Sequence, residues 1–385
     1  MRDWQTVPLG SLFTEPKDRK IPEVSDRRYV GLEHIDPETA RIVRWAEPTT
    51  ATSTSKVFRE NDVLFGRLRP YLKKVVLADF DGVCSGEILV LRANKSVLPG
   101  FLYLLAANST TIKHAVAVSA GSRMPRVASK DLSTLEVSLP TLPVQERIVE
   151  VIGAVDDQIA ALDVEADALA AVYQAATSML WLTAQGDEAE SRCLSDVMQL
   201  DIVRTPMEAG TTYRLAGVLN AGKGLVDKEA FDGADTEYTA MNVLRKDQVV
   251  MRKLTAWEGP ITVVPAEFDG FVASSEFPTF TLTDDVAPGW MKHICRTPRL
   301  WAEMQSRVVG TVQRRKRLNP DQLLSVALPV PCRSEQEKVA AGLDAIETQV
   351  SVIRDEAATL RQARRSLLSG LLDRTIDIES AEQEI

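Results

Sequence analysis

The chain has 385 residues, 45% hydrophobic and 26% charged, enough for two or three cored domains and contrary to wholesale disorder. No run approaches the roughly 20 apolar residues that cross a bilayer, and Met1-Arg2-Asp3-Trp4-Gln5 lacks a signal-peptide apolar stretch, so a soluble cytoplasmic protein with no membrane partner is expected. Cys84, Cys193, Cys295 and Cys332 form no C-x-x-C pair and the three histidines are scattered, which disfavours a disulfide framework, a zinc knuckle or any other metal site.

The net charge of -9 argues against a polyanionic partner only if it is evenly spread, and it is not. Residues 1–144 carry 20 Lys plus Arg against 16 Asp plus Glu, and residues 200–335 carry 17 against 17. Residues 145–199 and 336–385 hold the remaining -13. Two neutral-to-basic blocks therefore alternate with two acidic segments.

In chain order, the first block shows short strand-like runs at 62–65, 75–77 and 87–91, a turn at Asp81-Gly82 and a helical pattern over 100–108. Basic residues gather in its loops: Arg67, Arg69, Lys73 and Lys74 after a strand, then Arg123, Arg126 and Lys130 after Gly121-Ser122. From Gln145 the apolar positions Ile148, Ile152, Val155, Ile159, Leu162, Ala166, Leu169, Tyr173, Ala176 and Leu180 alternate steps of four and three, a heptad seam. A proline-free helix over 145–182 would be roughly 55 Å long. Residues 183–192 are polar and read as a connector.

The second block repeats the words of the first. Phe80-Asp81-Gly82 and Glu87 return as Phe268-Asp269-Gly270 and Glu276, Pro99-Gly100 as Pro288-Gly289, Leu139-Pro140 as Leu328-Pro329, and Gln145-Glu146 as Gln336-Glu337, all at offsets of 188 to 191. Strand-like runs fall at 248–251, 261–264 and 277–282, with a helical pattern over 289–304. Its basic residues are Arg252 and Lys253 near Trp257, then Arg314, Arg315, Lys316 and Arg317 after Gly310. Then Val339, Leu343, Ile346, Val350, Ile353, Ala357, Leu360, Leu367 and Leu371 repeat the heptad phase, broken only at Arg364.

These readings predict an α+β chain of two tandem homologous domains, 1–144 and 193–335, with helices over 145–182 and 336–372 and an acidic tail over 373–385. The seams are expected to pair antiparallel, Ile152, Val155, Ile159, Leu162 and Leu169 facing Leu343, Ile346, Val350, Ile353 and Leu360, because a whole domain separates the two helices. The alternative is that each helix packs on its own domain. Guanidinium and ammonium groups at matched loop positions suit a duplicated surface for phosphates and base edges, and a solvated basic face is the plainer alternative.

No catalytic machinery is legible. A phosphate loop, H-E-x-x-H, G-x-S-x-G and the Asn- or Asp-Pro-Pro-aromatic word of amino-methyltransferases are all missing, and Gly222-Lys223-Gly224 lacks a third glycine and reads as a loop. His34, His114 and His293 have no partner acid or nucleophile at a telling spacing. The repeated Asp81/Glu87 and Asp269/Glu276 read as turn chemistry and loop anchoring rather than paired catalytic carboxylates.

Taken together, the Leu-Gly-Ser-Leu or Leu-Ser-Asp-Val starts, Gly66-Arg67-Leu68-Arg69-Pro70-Tyr71-Leu72-Lys73-Lys74, Cys84-Ser85-Gly86-Glu87, Gly121-Ser122-Arg123 and the closing Leu-Pro, Gln-Glu and long helix resemble the DNA-specificity subunit of type I restriction-modification enzymes, from about Val7 to Leu372. The second half departs from that pattern at Lys253-Leu254-Thr255-Ala256-Trp257-Glu258-Gly259. The resemblance implies two target-recognition domains, each reading one half of a split, asymmetric double-stranded DNA site, and paired helices that fix the gap and dock two methyltransferase subunits, joined by restriction/translocase subunits. It implies no enzyme activity and no cofactor on this chain, S-adenosylmethionine, ATP and Mg belonging to the partners. Two alternatives are the recognition subunit of another phage-defence or methylation-only complex, and a coiled-coil scaffold that binds no DNA.

Overall fold

The computed structural model describes residues 4–20, 28–47, 55–182, 190–309 and 316–378. It divides into two compact units, residues 1–163 with 355–385, and residues 164–354, so the division falls inside both long helices.

In the first unit, β1 (Gln5–Pro8), β2 (Phe13–Thr14), β3 (Arg19–Lys20), β4 (Arg28–Val30), β5 (Ile35–Asp36), β6 (Arg41–Ile42), β7 (Ser55–Phe58), β8 (Val63–Gly66), β9 (Val75–Leu77), β10 (Gly82–Cys84) and β11 (Ile88–Ala93) precede α1 (Pro99–Ala107), α2 (Ser109–Ala117), α3 (Ser129–Leu132) and β12 (Glu136–Leu139). One sheet runs β2-β11-β8-β9 and another β3-β7-β10-β4, while β12 pairs antiparallel with β1. Strands of β-branched and aromatic residues bury both faces: Val63, Phe65, Leu89 and Leu91 enter the core under α1, and Leu64, Val76, Ile88 and Val90 enter a second cluster with Phe58.

The second unit follows with β13 (Glu190–Cys193), α5 (Leu194–Val197), β14 (Met198–Leu200), β15 (Val203–Pro206), β16 (Thr212–Tyr213), β17 (Ala216–Val218), β18 (Leu225–Asp227), β19 (Phe231–Asp232), β20 (Ala240–Val243), β21 (Val249–Met251), β22 (Ile261–Val263), β23 (Val272–Ala273), β24 (Thr279–Leu282), α6 (Pro288–Ile294), α7 (Pro298–Arg307), α8 (Pro320–Leu324) and β25 (Ala327–Val330). Its sheets β14-β24-β21-β22 and β13-β25 repeat the order of β2-β11-β8-β9 and β1-β12, and β15-β20-β23 repeats β3-β7-β10, with a single Leu215–Val272 bridge where β4 pairs in the first unit. The helical pattern over 289–304 is two helices, because Pro298 cannot continue α6 and instead occupies the first turn of α7, capped by Thr297.

α4 (Leu142–Met179) and α9 (Arg333–Leu372) begin three residues before the Gln-Glu words. Those glutamines are wholly buried clamps. Gln145 accepts from Leu98 N and donates to Ser96 O and Pro140 O at 2.8–3.1 Å, and Gln336 treats Ala287 N, Asp285 O and Pro331 O the same way. Within the first unit α4 meets α9 through Asp156–Arg364 and Asp163–Arg361, and within the second through Asp167–Arg354, rising numbers on α4 meeting falling numbers on α9 inside the first unit. Ile152, Ile159, Leu162, Leu343, Val350 and Ile353 are buried, while Val155, Leu169, Ile346 and Leu360 are half-buried. The seam is shared with the globular blocks: Ile148 and Ile152 sit in the first unit's core with Leu368, Leu371 and Leu372.

Candidate nucleic-acid interface

Between β8 and β9 the chain makes a single 3-10 turn, Pro70–Leu72, closed at both ends by left-handed residues, Arg69 (φ 51°) and Lys73 (φ 56°). A non-glycine residue there costs about 1–2 kcal/mol, so the surroundings must impose it. They do. Arg67 N donates to Glu87 O, Arg69 N to Pro125 O and Val127 N to Arg67 O, zipping the 120–127 loop onto the turn. Arg126 forks onto the Glu87 carboxylate at 2.9–3.1 Å. Pro70 is buried, and Tyr71, Leu72, Arg69 and Lys73 face water.

The second unit builds the same device with other side chains. Between β21 and β22 a 3-10 turn, Ala256–Glu258, is closed by left-handed Thr255 (φ 54°) and Gly259 (φ 68°). Lys253 N donates to Glu276 O, Leu254 bridges Arg317, and Arg317 pairs with Glu276 at 3.1 Å. The hydrogen bonds therefore equate Arg67 with Lys253, Arg69 with Thr255 and Arg126 with Arg317. They do not equate Arg67 and Arg69 with Arg252 and Lys253. Arg252 falls at the position of Gly66 and is consumed internally, donating to Leu254 O, Asn220 Oδ1, Thr255 Oγ1 and Glu258 Oε2.

The structure thus sorts the expected basic residues. Arg126, Arg317 and Arg252 are held by the protein's own acceptors, as is Lys74, whose Nζ donates to Leu32 O at 2.5 Å. Arg69, Lys73, Arg123 and Lys130 are exposed. Lys253 and Lys316 are half-buried. Arg314 and Arg315 lie outside the described residues. Asp81 and Asp269 accept from the backbone N–H of Glu60 and Lys246, and Glu87 and Glu276 anchor the loops.

A cleft of about 440 Å³ opens beside the first turn, lined by Arg67, Lys130, Arg19, Lys56 and Glu15. Lys56 is buried, donating to Glu15 and to Ile88 O at 2.9 Å, and Arg67 Nε is buried without a partner. Asn242 Nδ2 to Phe277 O replaces the Lys56 bond in the second unit. Arg19 and Lys56 escaped sequence reasoning because they stand alone on strands rather than in a loop cluster.

His34 Nδ1 accepts from Gly31 N and His114 Nε2 lies 3.0 Å from Asp131 O. His293 acquires the acid partner its sequence neighbourhood lacks: its Nε2 faces Asp344 Oδ1 at 3.1 Å and its Nδ1 faces Tyr173 OH at 2.9 Å. Burial, then Lys292, pulls the His293 pKa below its ordinary value. His293, Asp344 and Glu347 are close enough to share a metal ion, but Lys292 lies 2.6 Å from Asp344 and 3.2 Å from Glu347, and Arg296 pairs with Glu347. Cations of the chain already occupy that place. Burial pushes the Cys84 and Cys295 thiols up to about 12, which removes them as nucleophiles at neutral pH.

Parts of this chain are similar to known proteins. The family model described as type I restriction modification DNA specificity domain matches residues 1–166. That match covers less than half of the 385 residues. Over 151 residues the chain is 28% identical to the type I restriction enzyme EcoDI specificity subunit of Escherichia coli, covering 39% of this chain and 32% of that protein. Over 152 residues it is 26% identical to the HindI specificity subunit of Haemophilus influenzae, covering 38% and 33%. The match thus spans about a third of the length of these curated relatives. Two solved structures share the fold: one described by the complex assembly and conformational transition of a type I R-M system (TM-score 0.60, 21% identity, 96% of this chain and 97% of that one), and the S subunit of a type I system from M. genitalium (0.57, 15%, 96% of each). Among the described residues no helix is long and apolar enough to cross a membrane.

Proposed function

We propose that this chain is the sequence-reading, non-catalytic subunit of a type I restriction-modification complex in the cytoplasm. Each block reads one half of a split, asymmetric site on double-stranded DNA through the loops around its left-handed-capped turn. The paired helices fix the gap and dock two methyltransferase subunits, and restriction/translocase subunits complete the assembly. S-adenosylmethionine, ATP and Mg act on those partners, with the modified base turned out of the duplex.

The observation that carries the reading is the repeated turn: two blocks hold one backbone device in place with the same Arg–Glu pair, yet present different side chains from it. Two readers with one scaffold and different faces suit two different half-sites, where a symmetric dimer would read a palindrome. The test is selection from a duplex library with a random central window, using the full chain with the methyltransferase subunits of its source. Two short blocks of fixed bases at a fixed spacing, bound in a salt-dependent way, are expected. Enrichment of no sequence overturns the proposal.

A further inference from the structure

At the edge of the first unit Arg28 lies between two rings, its guanidinium carbon 4.0 Å from the centroid of Trp45 and 4.6 Å from that of Phe80. Trp45 itself is half exposed, and the neighbouring Arg41, Val43 and Arg44 also face water. The stack covers the faces of the guanidinium, yet among the described residues no carboxylate or carbonyl takes its N–H edges. An arginine fixed by ring stacking with a free fork is prepared for a planar pair of acceptors, because the cost of ordering its long side chain is already met.

The second unit contains a built-in control. Strand pairing equates Arg28 with Arg214: each precedes the residue that pairs in parallel with the equivalent strand, Tyr29 with Val83 of β10 and Leu215 with Val272 of β23. Arg214 also lies over a ring, 4.1 Å from the centroid of Phe271. The backbone bonds Ala46 N to Tyr29 O and Lys228 N to Leu215 O then equate Trp45 with Asp227. Asp227 takes the Arg214 guanidinium at 2.6 Å. The same arginine is neutralised in one unit and offered to solvent in the other.

We propose that Arg28, held by Trp45 and Phe80, is a DNA-contacting fork of the first block, engaging either a guanine edge or the oxygens of a phosphate, and that Arg214 is not. The proposal rests on the DNA-reading function above. The test is equilibrium binding of the full chain, with its methyltransferase subunits, to the selected duplex and to a scrambled duplex over a range of salt. Arg28→Ala and Trp45→Asp, which imports the second unit's carboxylate, are expected to weaken binding about 10-fold, and Arg28→Lys to rescue little because a point charge lacks the fork. Arg214→Ala is expected to bind as the parent does. Loss confined to the selected duplex assigns a base edge, whereas equal loss on both with a shallower salt dependence assigns phosphate. Thermal unfolding checks that each variant folds, and if Arg28→Ala does not, Arg28→Lys and Trp45→Asp carry the test. Unchanged binding by the folded Arg28 and Trp45 variants, or equal loss in Arg214→Ala, overturns the proposal. A parent chain without sequence preference defeats the function proposed above instead, and the Arg28 comparison is still read on whichever duplex it binds.

Discussion

The turn after β8 and the turn after β21 have the same backbone and almost nothing else in common. Both are a single 3-10 turn between left-handed ends, both follow a residue just past the strand whose N–H bonds to a glutamate carbonyl, and both lean on an arginine that the glutamate side chain holds. The first carries Arg69 and Lys73 at its ends, the second Thr255 and Gly259. Beside them, Arg252 is spent on Glu258, Asn220 and Thr255, where the first unit has Gly66. The lesson is a division of labour: buried and half-buried groups fix where the loop goes, and exposed positions are free to change what it offers. A scaffold organised this way can change the side chains it offers without being rebuilt.

If that division is right, the largest effects come from the shared framework. Gln145→Leu strips partners from Leu98 N, Ser96 O and Pro140 O, and Gln336→Leu does the same to Ala287 N, Asp285 O and Pro331 O. An orphaned buried group costs about 1–3 kcal/mol, and in each variant one lost bond is buried and two are half-buried, so each variant is expected to lose about 2 kcal/mol in denaturant unfolding. The two losses should be similar, and a large inequality would show that the clamps are not equivalent. The exposed ends should behave oppositely. Arg69→Ala with Lys73→Ala is expected to lower DNA affinity about 10-fold and the salt slope by about 2, leaving stability intact, while Thr255→Ala, which removes an acceptor from Arg252, is expected to leave DNA affinity unchanged and to cost some stability.

Much of this was legible because it repeats. The Asp-Gly, Glu and Gln-Glu words recur for structural reasons: Asp81 and Asp269 cap a neighbouring backbone, Glu87 and Glu276 hold the arginines, and Gln145 and Gln336 tie block to helix. The heptad period located both helices to within three residues at their starts. Charge was a poorer guide, since a basic cluster does not say which members are already paired. Arg126, Arg317 and Arg252 look like Arg69 in the sequence, and only the fold brings Glu87, Glu276 and Glu258 to them. The equivalence of Arg252 with Gly66 was illegible for a related reason: hydrogen bonds, not residue type, set the register there.

The units also differ where each meets its helices, and pH can expose that difference. In the second unit buried His293 faces Tyr173 and Asp344, with Lys292, Arg296 and Glu347 around it. In the first, Tyr103 lies near the Arg364–Asp156 pair and no histidine is involved. Because the folded His293 has a pKa below the 6.5 of a free imidazole, the unfolded chain takes up its proton first. The contribution to stability is therefore complete above 6.5 and shrinks as pH falls below it. Lowering pH from about 7.5 to about 5.5 is expected to destabilise the second unit, and His293→Asn to flatten that dependence when unfolding is followed by hydrogen exchange in each unit. An unchanged slope in the variant would assign the sensitivity elsewhere.

The smallest effect tests the turn itself. Lys73 holds a left-handed conformation that its counterpart Gly259 adopts without strain. Lys73→Gly relieves about 1–2 kcal/mol of that strain but returns part of it through the greater freedom of glycine in the unfolded chain, so a net stabilisation under about 1 kcal/mol is expected. The reverse exchange is no mirror image, because a Cβ on Gly259 would lie 2.7 Å from the Trp301 ring. Should Lys73→Gly instead destabilise the first unit, its side chain must be supporting the turn, and the rule that exposed positions are free to vary would fail there.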